Sequence, residues 1–147
     1  MKIYEIETKY IPVGCAKYLR KIQSPEDMAV YMQGAFDKFV EQEQFWVILL
    51  NNDNRPIARH MATLGLVNQT QIHPREAFRF AIRENASGVI FVHNHPSGNL
   101  QPSEEDIQTT KELVEAGSLL RLPVLDHLIM ADDQVYSIRR NKPTIFS

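Results

Sequence analysis

Cysteine is almost absent from this chain. Cys15 is the single one among 147 residues. That excludes an internal disulfide and any multi-cysteine zinc site, and it fits a reducing cytosol. Long apolar runs are missing as well. The longest, at 45–50 and 88–92, fall far short of the roughly 20 residues that a membrane-spanning helix needs. No charged and then apolar leader opens the chain, so a cytoplasmic rather than secreted protein is expected. An excess of either charge is lacking too. The formal net charge is −2 and the isoelectric point is near 6.2, whereas a generic nucleic-acid binder shows a basic imbalance. Two small basic clusters, Lys17–Arg20–Lys21 and Arg139–Arg140–Lys142, read as solvated faces. Internal repeats, low-complexity tracts and interdomain linkers do not occur.

What is present describes one globular domain. Apolar residues make up 44% of the chain and charged residues 23%, and this length buries a core without staples. Residues 2–12 are β-prone and predict an N-terminal strand within an arm over 1–23. "SPED" at 24–27 is a helix start, with Ser24 as N-cap, Pro25 at the first helical position and Asp27 three after the cap. Apolar residues at Met28, Tyr31, Met32, Ala35, Phe36, Phe39 and Val40 then predict an amphipathic helix over about 25–40. The run 45–50 predicts a buried strand, "NNDN" a turn, and 56–65 a strand pairing back. A second helix is expected from Pro74 to near Asn85, with Ala77, Phe78, Ala81 and Ile82 on one face. "GVIFV" at 88–92 reads as a central strand covered on both sides. A polar loop over 93–102 leads to a third helix stopping at Gly117. Strands at about 122–130 and 134–138 close the domain. Helices alternate with strands, so the fold class is α/β, a mixed sheet flanked by helices in a three-layer-like arrangement with its core over about 24–140. Trp46 and the phenylalanines are expected in the core, His60 at the surface, and His73 at a helix cap.

The chemistry concentrates between 93 and 106. His93 and His95 follow a buried strand directly, and Asp106 lies in the first turn of the next helix. Ligand sites in α/β folds gather at such strand ends and helix starts. A two-residue step in extended chain puts both imidazoles on the same side. Two histidines and a carboxylate would leave a zinc ion with its fourth position open for water, which is the catalytic arrangement. Ser103 and Asp106 have a second reading, because S-x-x-D opening a helix is a capping pattern that needs no metal. That pattern leaves His93, His95 and Pro96 unexplained.

Taken together, H-x-H-P, six residues, and S-x-x-D resemble the JAMM (JAB/MPN) metalloprotease signature. "HPREAFRFAIRENASGVIFVHNHPSG" and "LDHLIM" are similar to its RadC-type branch over about residues 40–140. The resemblance implies a JAB/MPN architecture, similar to that of cytidine deaminases, and a zinc ion, one per chain, held by His93, His95 and Asp106. It implies that the Ser103 hydroxyl supports the oxyanion. It also implies an upstream glutamate as general base. Glu43 in "EQFWVILL" is the match, since it immediately precedes the apolar core of its strand, and Glu41 is its rival. Asn94 stands where many JAMM proteins have Ser or Thr, which fits the RadC branch, and is expected to brace the loop. His127 either orients a ligand from behind or is a satisfied interior histidine.

The helix-hairpin-helix module common in RadC-type proteins is not expected within these residues. Their first 40 show no Gly-x-Gly hairpin. Connections are short, without the inserted segments by which eukaryotic JAMM deubiquitinases grip their substrate. Two functions follow as expectations. The first is a zinc-dependent hydrolase of a peptide, isopeptide or related amide bond, acting on an unknown peptide or protein. The second is a non-catalytic module associating with protein or DNA. A zinc nucleobase deaminase would need H-x-E and P-C-x-x-C, and neither is present.

Overall fold

A computed structural model describes residues 1–7, 9–13, 20–65 and 72–147. Cys15 and Lys17, singled out above, lie outside them. Five strands form one sheet in the order β2-β1-β3-β4-β5. They are β1 (Glu43–Leu50), β2 (Pro56–Gly65), β3 (Gly88–Asn94), β4 (Val124–Ala131) and β5 (Gln134–Ser137). β1 pairs antiparallel with β2 and β3, β3 parallel with β4, and β4 antiparallel with β5. The sheet is therefore mixed, as expected. The parallel β3–β4 pair needs a crossover, and helix α4 (Glu104–Leu120) supplies it.

Alternation along β1 and β3 divides the core into two layers. Phe45, Val47, Leu49, Val89 and Phe91 pack under α4 and two short helices, α2 (Pro74–Ala77) and α3 (Arg79–Arg83). Trp46, Ile48, Leu50, Ile90 and Val92 face Met28 and Met32 of the α1 (Pro25–Tyr31) region on the other side. All seven residues of β3 are buried, so "GVIFV" is the covered central strand that its composition implied. A last helix, α5 (Ile138–Asn141), follows β5. No helix among the described residues is long and apolar enough to cross a membrane.

Several predicted elements change. The expected strand at 2–12 is absent: residues 1–7 and 9–13 have no regular structure. Ile3, Ile6 and Ile11 lie exposed, so the apolar side chains of this β-prone segment gain no burial that would hold it as a strand. The helix expected over 25–40 ends at Tyr31. Its cap at Ser24 forms as read, with Ser24 Oγ accepting from Asp27 N–H at 3.2 Å. Gly34 then takes a positive φ of 84°, turning the chain before a 3-10 turn at Asp37–Phe39. Val40 is consequently exposed. The helix expected over 74–85 breaks at Phe78 into α2 and α3, and Ile82 is exposed instead of sharing their inner face. The polar stretch after β3 begins at His95, because the strand runs through Asn94.

Gly117 does not stop α4, which continues to Leu120 and ends at Arg121 in the left-handed region. Glycine is there for close approach. A Cβ at 117 would meet the Leu122 carbonyl oxygen at 2.5 Å. His60 is not a surface residue either. Its ring stacks edge-on against Phe80 at 4.6 Å, and both ring nitrogens are buried without a hydrogen-bond partner. His73 occupies the N-cap of α2, but its side chain makes no capping bond.

Candidate metal centre

Three segments converge at one end of the sheet. β1 contributes Glu43, β3 and the turn after it contribute His93 and His95, and the first turn of α4 contributes Asp106. One ligand atom from each of the four lies within 4.8 Å of the others. His93 Nε2 is 2.9 Å from His95 Nε2, 3.4 Å from Asp106 Oδ1 and 3.7 Å from Glu43 Oε1. His95 Nε2 is 3.2 Å from Asp106 Oδ2. Glu41 is exposed in the turn before β1, whereas Glu43, the first residue of β1, joins the cluster.

The sequence builds this local geometry simply. His93 pairs opposite Phe45 on β1, so Glu43, two residues before Phe45, projects from the same face. After His95 the turn "HPSG" closes with Gly98 N–H donating to the His95 carbonyl at 3.0 Å. Gly98 supplies the positive φ of 86° that this turn uses. His95 Nδ1 donates to the Asn99 carbonyl at 2.6 Å. A carbonyl can only accept, so this bond directs Nε2 inward.

Asp106 forms the expected cap, and its carboxylate also turns toward the two histidines. Ser103 Oγ accepts from Asp106 N–H at 3.0 Å, and Ser103 N–H donates to Asp106 Oδ2 at 2.9 Å. The same carboxylate faces both imidazoles. Its cap thus aims a ligand. Ser103 is exposed at the rim, and its hydroxyl proton is not committed by the cap, because Oγ acts there as acceptor.

Asn94 braces strand β1 and not the loop. Its Oδ1 accepts from Gln44 N–H at 2.6 Å, and its Nδ2 donates to the Gln42 carbonyl at 3.1 Å. The backbone register between β1 and β3 ends at Phe45–His93. Beyond it the Asn94 amide stands in for the next peptide group of β3 and extends the ladder past Glu43. Gln44 adds bonds from Nε2 to the Phe36 and Phe39 carbonyls, both 2.9 Å. The backbone on either side of Glu43 is therefore fixed. No local pattern pointed to Gln44; its burial became visible only with the fold.

Behind the cluster, His93 Nδ1 lies 2.7 Å from His127 Nε2, and His127 Nδ1 lies 2.6 Å from Thr110 Oγ1. His127 is thus an interior histidine with both ring nitrogens partnered, and one partner is the candidate ligand His93. Thr110 went unnoticed in the sequence, where a threonine in a helix carries no signal of its own.

The electrostatics suit a cation. Burial raises the Glu43 carboxyl above its usual range, against the nearby histidines, which lower it. Its Oε2 is buried with no partner. Burial would also raise Asp106, yet the His93 and His95 rings beside it and the hydrogen bond from the Ser103 N–H hold it far below the usual carboxylate range. His95 is lowered by burial but raised on balance by Asp106 and the Asn99 carbonyl. His127 is pushed well down by its burial. Two inward ring nitrogens, a partnerless carboxylate oxygen and an ionised aspartate form a donor set that fits a divalent ion, and imidazole with carboxylate suits zinc among others.

Comparison with known proteins agrees with this geometry. A UPF0758 protein of Bacillus cereus (strain 03BB102) is 44% identical over 118 residues, covering 80% of this chain and 52% of its own length. A UPF0758 protein of Chlorobaculum parvum is 43% identical over 120 residues, with 82% and 54% covered. The chain thus spans about half the length of these relatives, and their names state no activity. The family model for the RadC-like JAB domain matches residues 22–143, which takes in every strand and the whole Glu-His-His-Asp cluster. This chain belongs to the RadC-like JAB domain family.

Proposed function

We infer that this domain is a zinc-dependent hydrolase of the JAMM type, cleaving a peptide, isopeptide or related amide bond in a peptide or protein. The observation that carries this reading is the convergence of Glu43 with His93, His95 and Asp106 within 4.8 Å. His93, His95 and Asp106 would hold one zinc ion per chain. When bound, zinc lowers the pKa of a coordinated water and polarises the scissile carbonyl. Glu43 accepts the proton of the attacking water and delivers it to the leaving nitrogen, forming the amine as the C–N bond breaks. Burial raises its carboxyl above the usual range, the direction that strengthens it as a proton acceptor. The clamp of Asn94 on both flanking peptides keeps the carboxylate in place without a conformational step. Ser103 at the rim directs its free hydroxyl proton toward the developing oxyanion, next to the positive end of α4. The net charge of −2 favours a protein over DNA as the molecule acted on.

The test has two arms. Protein purified without added metal should contain about one zinc per chain, and His95→Ala should lose it. Equal and negligible zinc in both would sink the metal reading. Glu43→Gln should retain zinc while hydrolysis of peptide or isopeptide substrates falls at least about a hundredfold. Cleavage that survives Glu43→Gln would remove Glu43 from its role.

A further inference from the structure

A buried chain of hydrogen bonds leaves one candidate ligand and returns to another. It runs from His93 Nδ1 to His127 Nε2 at 2.7 Å, from His127 Nδ1 to Thr110 Oγ1 at 2.6 Å, and from Thr110 Oγ1 to the Asp106 carbonyl at 2.6 Å. His93 and His127 are each 1% exposed and Thr110 is fully buried. Water therefore does not supply alternative partners. The rings of Phe45 and Phe91 flank His127 at 5.3 and 6.1 Å.

The direction of every bond follows from counting protons. Thr110 has one hydroxyl proton, and the Asp106 carbonyl can only accept. The proton is therefore spent on that carbonyl, and the hydroxyl offers His127 a lone pair. His127 Nδ1 must then carry a hydrogen. Enclosed by two phenyl rings with no carboxylate in contact, the His127 imidazole stays neutral, so its Nε2 is an acceptor. A contact of 2.7 Å between two ring nitrogens needs one proton between them, and it has to come from His93 Nδ1. A neutral His93 so arranged has its remaining lone pair on Nε2, the atom that faces His95, Asp106 and Glu43, and the proton in its 2.9 Å contact with His95 Nε2 is then carried by His95.

We propose that Thr110 and His127 are positioning residues that lock His93 in the Nδ1–H tautomer and so present an unprotonated Nε2 to the metal. Their effect is to prepare the ligand before the ion arrives. The opposite tautomer would place a hydrogen where the ion has to bind. The relay also ties α4, β4 and β3 together behind the cluster, because the carbonyl at its end belongs to Asp106 itself. Each step lends electron density toward His93 Nε2.

This inference rests on reading the cluster as a metal centre, and the experiment separates the two. Nitrogen-15 spectra of histidine-labelled, metal-free protein at neutral pH report the tautomer directly. His93 should show a protonated Nδ1 and an unprotonated Nε2. Zinc affinity is then measured by competition with a chromophoric chelator. Thr110→Val keeps the side-chain shape but removes the acceptor, and zinc binding should weaken about 10- to 100-fold. Thr110→Ser restores the hydroxyl and should bind within about threefold of the native protein, a rescue that packing alone does not predict. A proton found on His93 Nε2 overturns the proposal, as does Thr110→Val binding zinc as tightly as the native protein. If Thr110→Val does not fold, the native tautomer and Thr110→Ser still decide. If the native protein takes up no zinc, the metal reading falls while the spectrum alone still decides the relay.

Discussion

Replacing Asn94 with alanine tests how Glu43 is held. The side chain makes two bonds, from Gln44 N–H at 2.6 Å and to the Gln42 carbonyl at 3.1 Å. The two losses are unequal. Gln42 is exposed, so water can replace the amide on its carbonyl. Gln44 is 1% exposed, so its N–H is stranded when Asn94 is truncated. An unsatisfied buried donor costs about 1–3 kcal/mol, and the second bond adds less than about 1 kcal/mol. The total of about 1–4 kcal/mol corresponds to a fall in Tm of about 3–13 °C for a domain of this size. Urea denaturation gives the free energy. Hydrogen exchange gives the location: the Gln44 amide should exchange at least tenfold faster in the variant, about 1.4 kcal/mol of lost local protection. Zinc content should persist, since His93, His95 and Asp106 each keep separate anchors. A variant within about 0.5 kcal/mol of the native protein, with the Gln44 amide still protected, would refute the idea that the amide extends the ladder.

Two further outcomes follow from positions away from the cluster. Gly117→Ala would favour an isolated helix by about 1 kcal/mol, but its Cβ would sit 2.5 Å from the Leu122 carbonyl oxygen. Net destabilisation of about 1–3 kcal/mol is expected in urea denaturation, and a stabilised variant would contradict the close approach. His60 is pushed down to about 4 from 6.5 by burial and by Arg79. Between those two values the unfolded chain binds a proton that the folded one does not, so stability rises with pH across that window and is lost on acidification. The loss should reach about 2 kcal/mol, allowing for the partial exposure of the ring. Stability measured against pH should flatten there in His60→Leu, and an unchanged slope would assign the acid sensitivity to other groups.

The core and the histidine–aspartate side of this cluster follow from short-range rules. β3 had to be a covered strand because five consecutive apolar residues leave no wet face, and it is wholly buried. His93 and His95 were expected on one face because extended chain alternates, and their ring nitrogens do meet at 2.9 Å although His95 lies just past the strand. The S-x-x-D cap had to place Asp106 at a helix start, where it lies. Other features were illegible for physical reasons. The helix expected through residue 40 is cut short by Gly34, whose turn is set by how the chain reaches β1. Gly117 looked like a stop because glycine is a poor helix former, yet its purpose is the passage of Leu122. The sequence by itself determined a mixed α/β domain and a two-histidine, one-carboxylate cluster, since periodicity and capping act within a few residues. Only the tertiary structure decided that Glu43 and not Glu41 completes it, that Asn94 fixes the Glu43 backbone, and that Thr110 and His127 stand behind His93. Those contacts join residues 17 to 52 positions apart, and hydrogen-bond partners at such separations are chosen by strand register and by where α4 crosses the sheet.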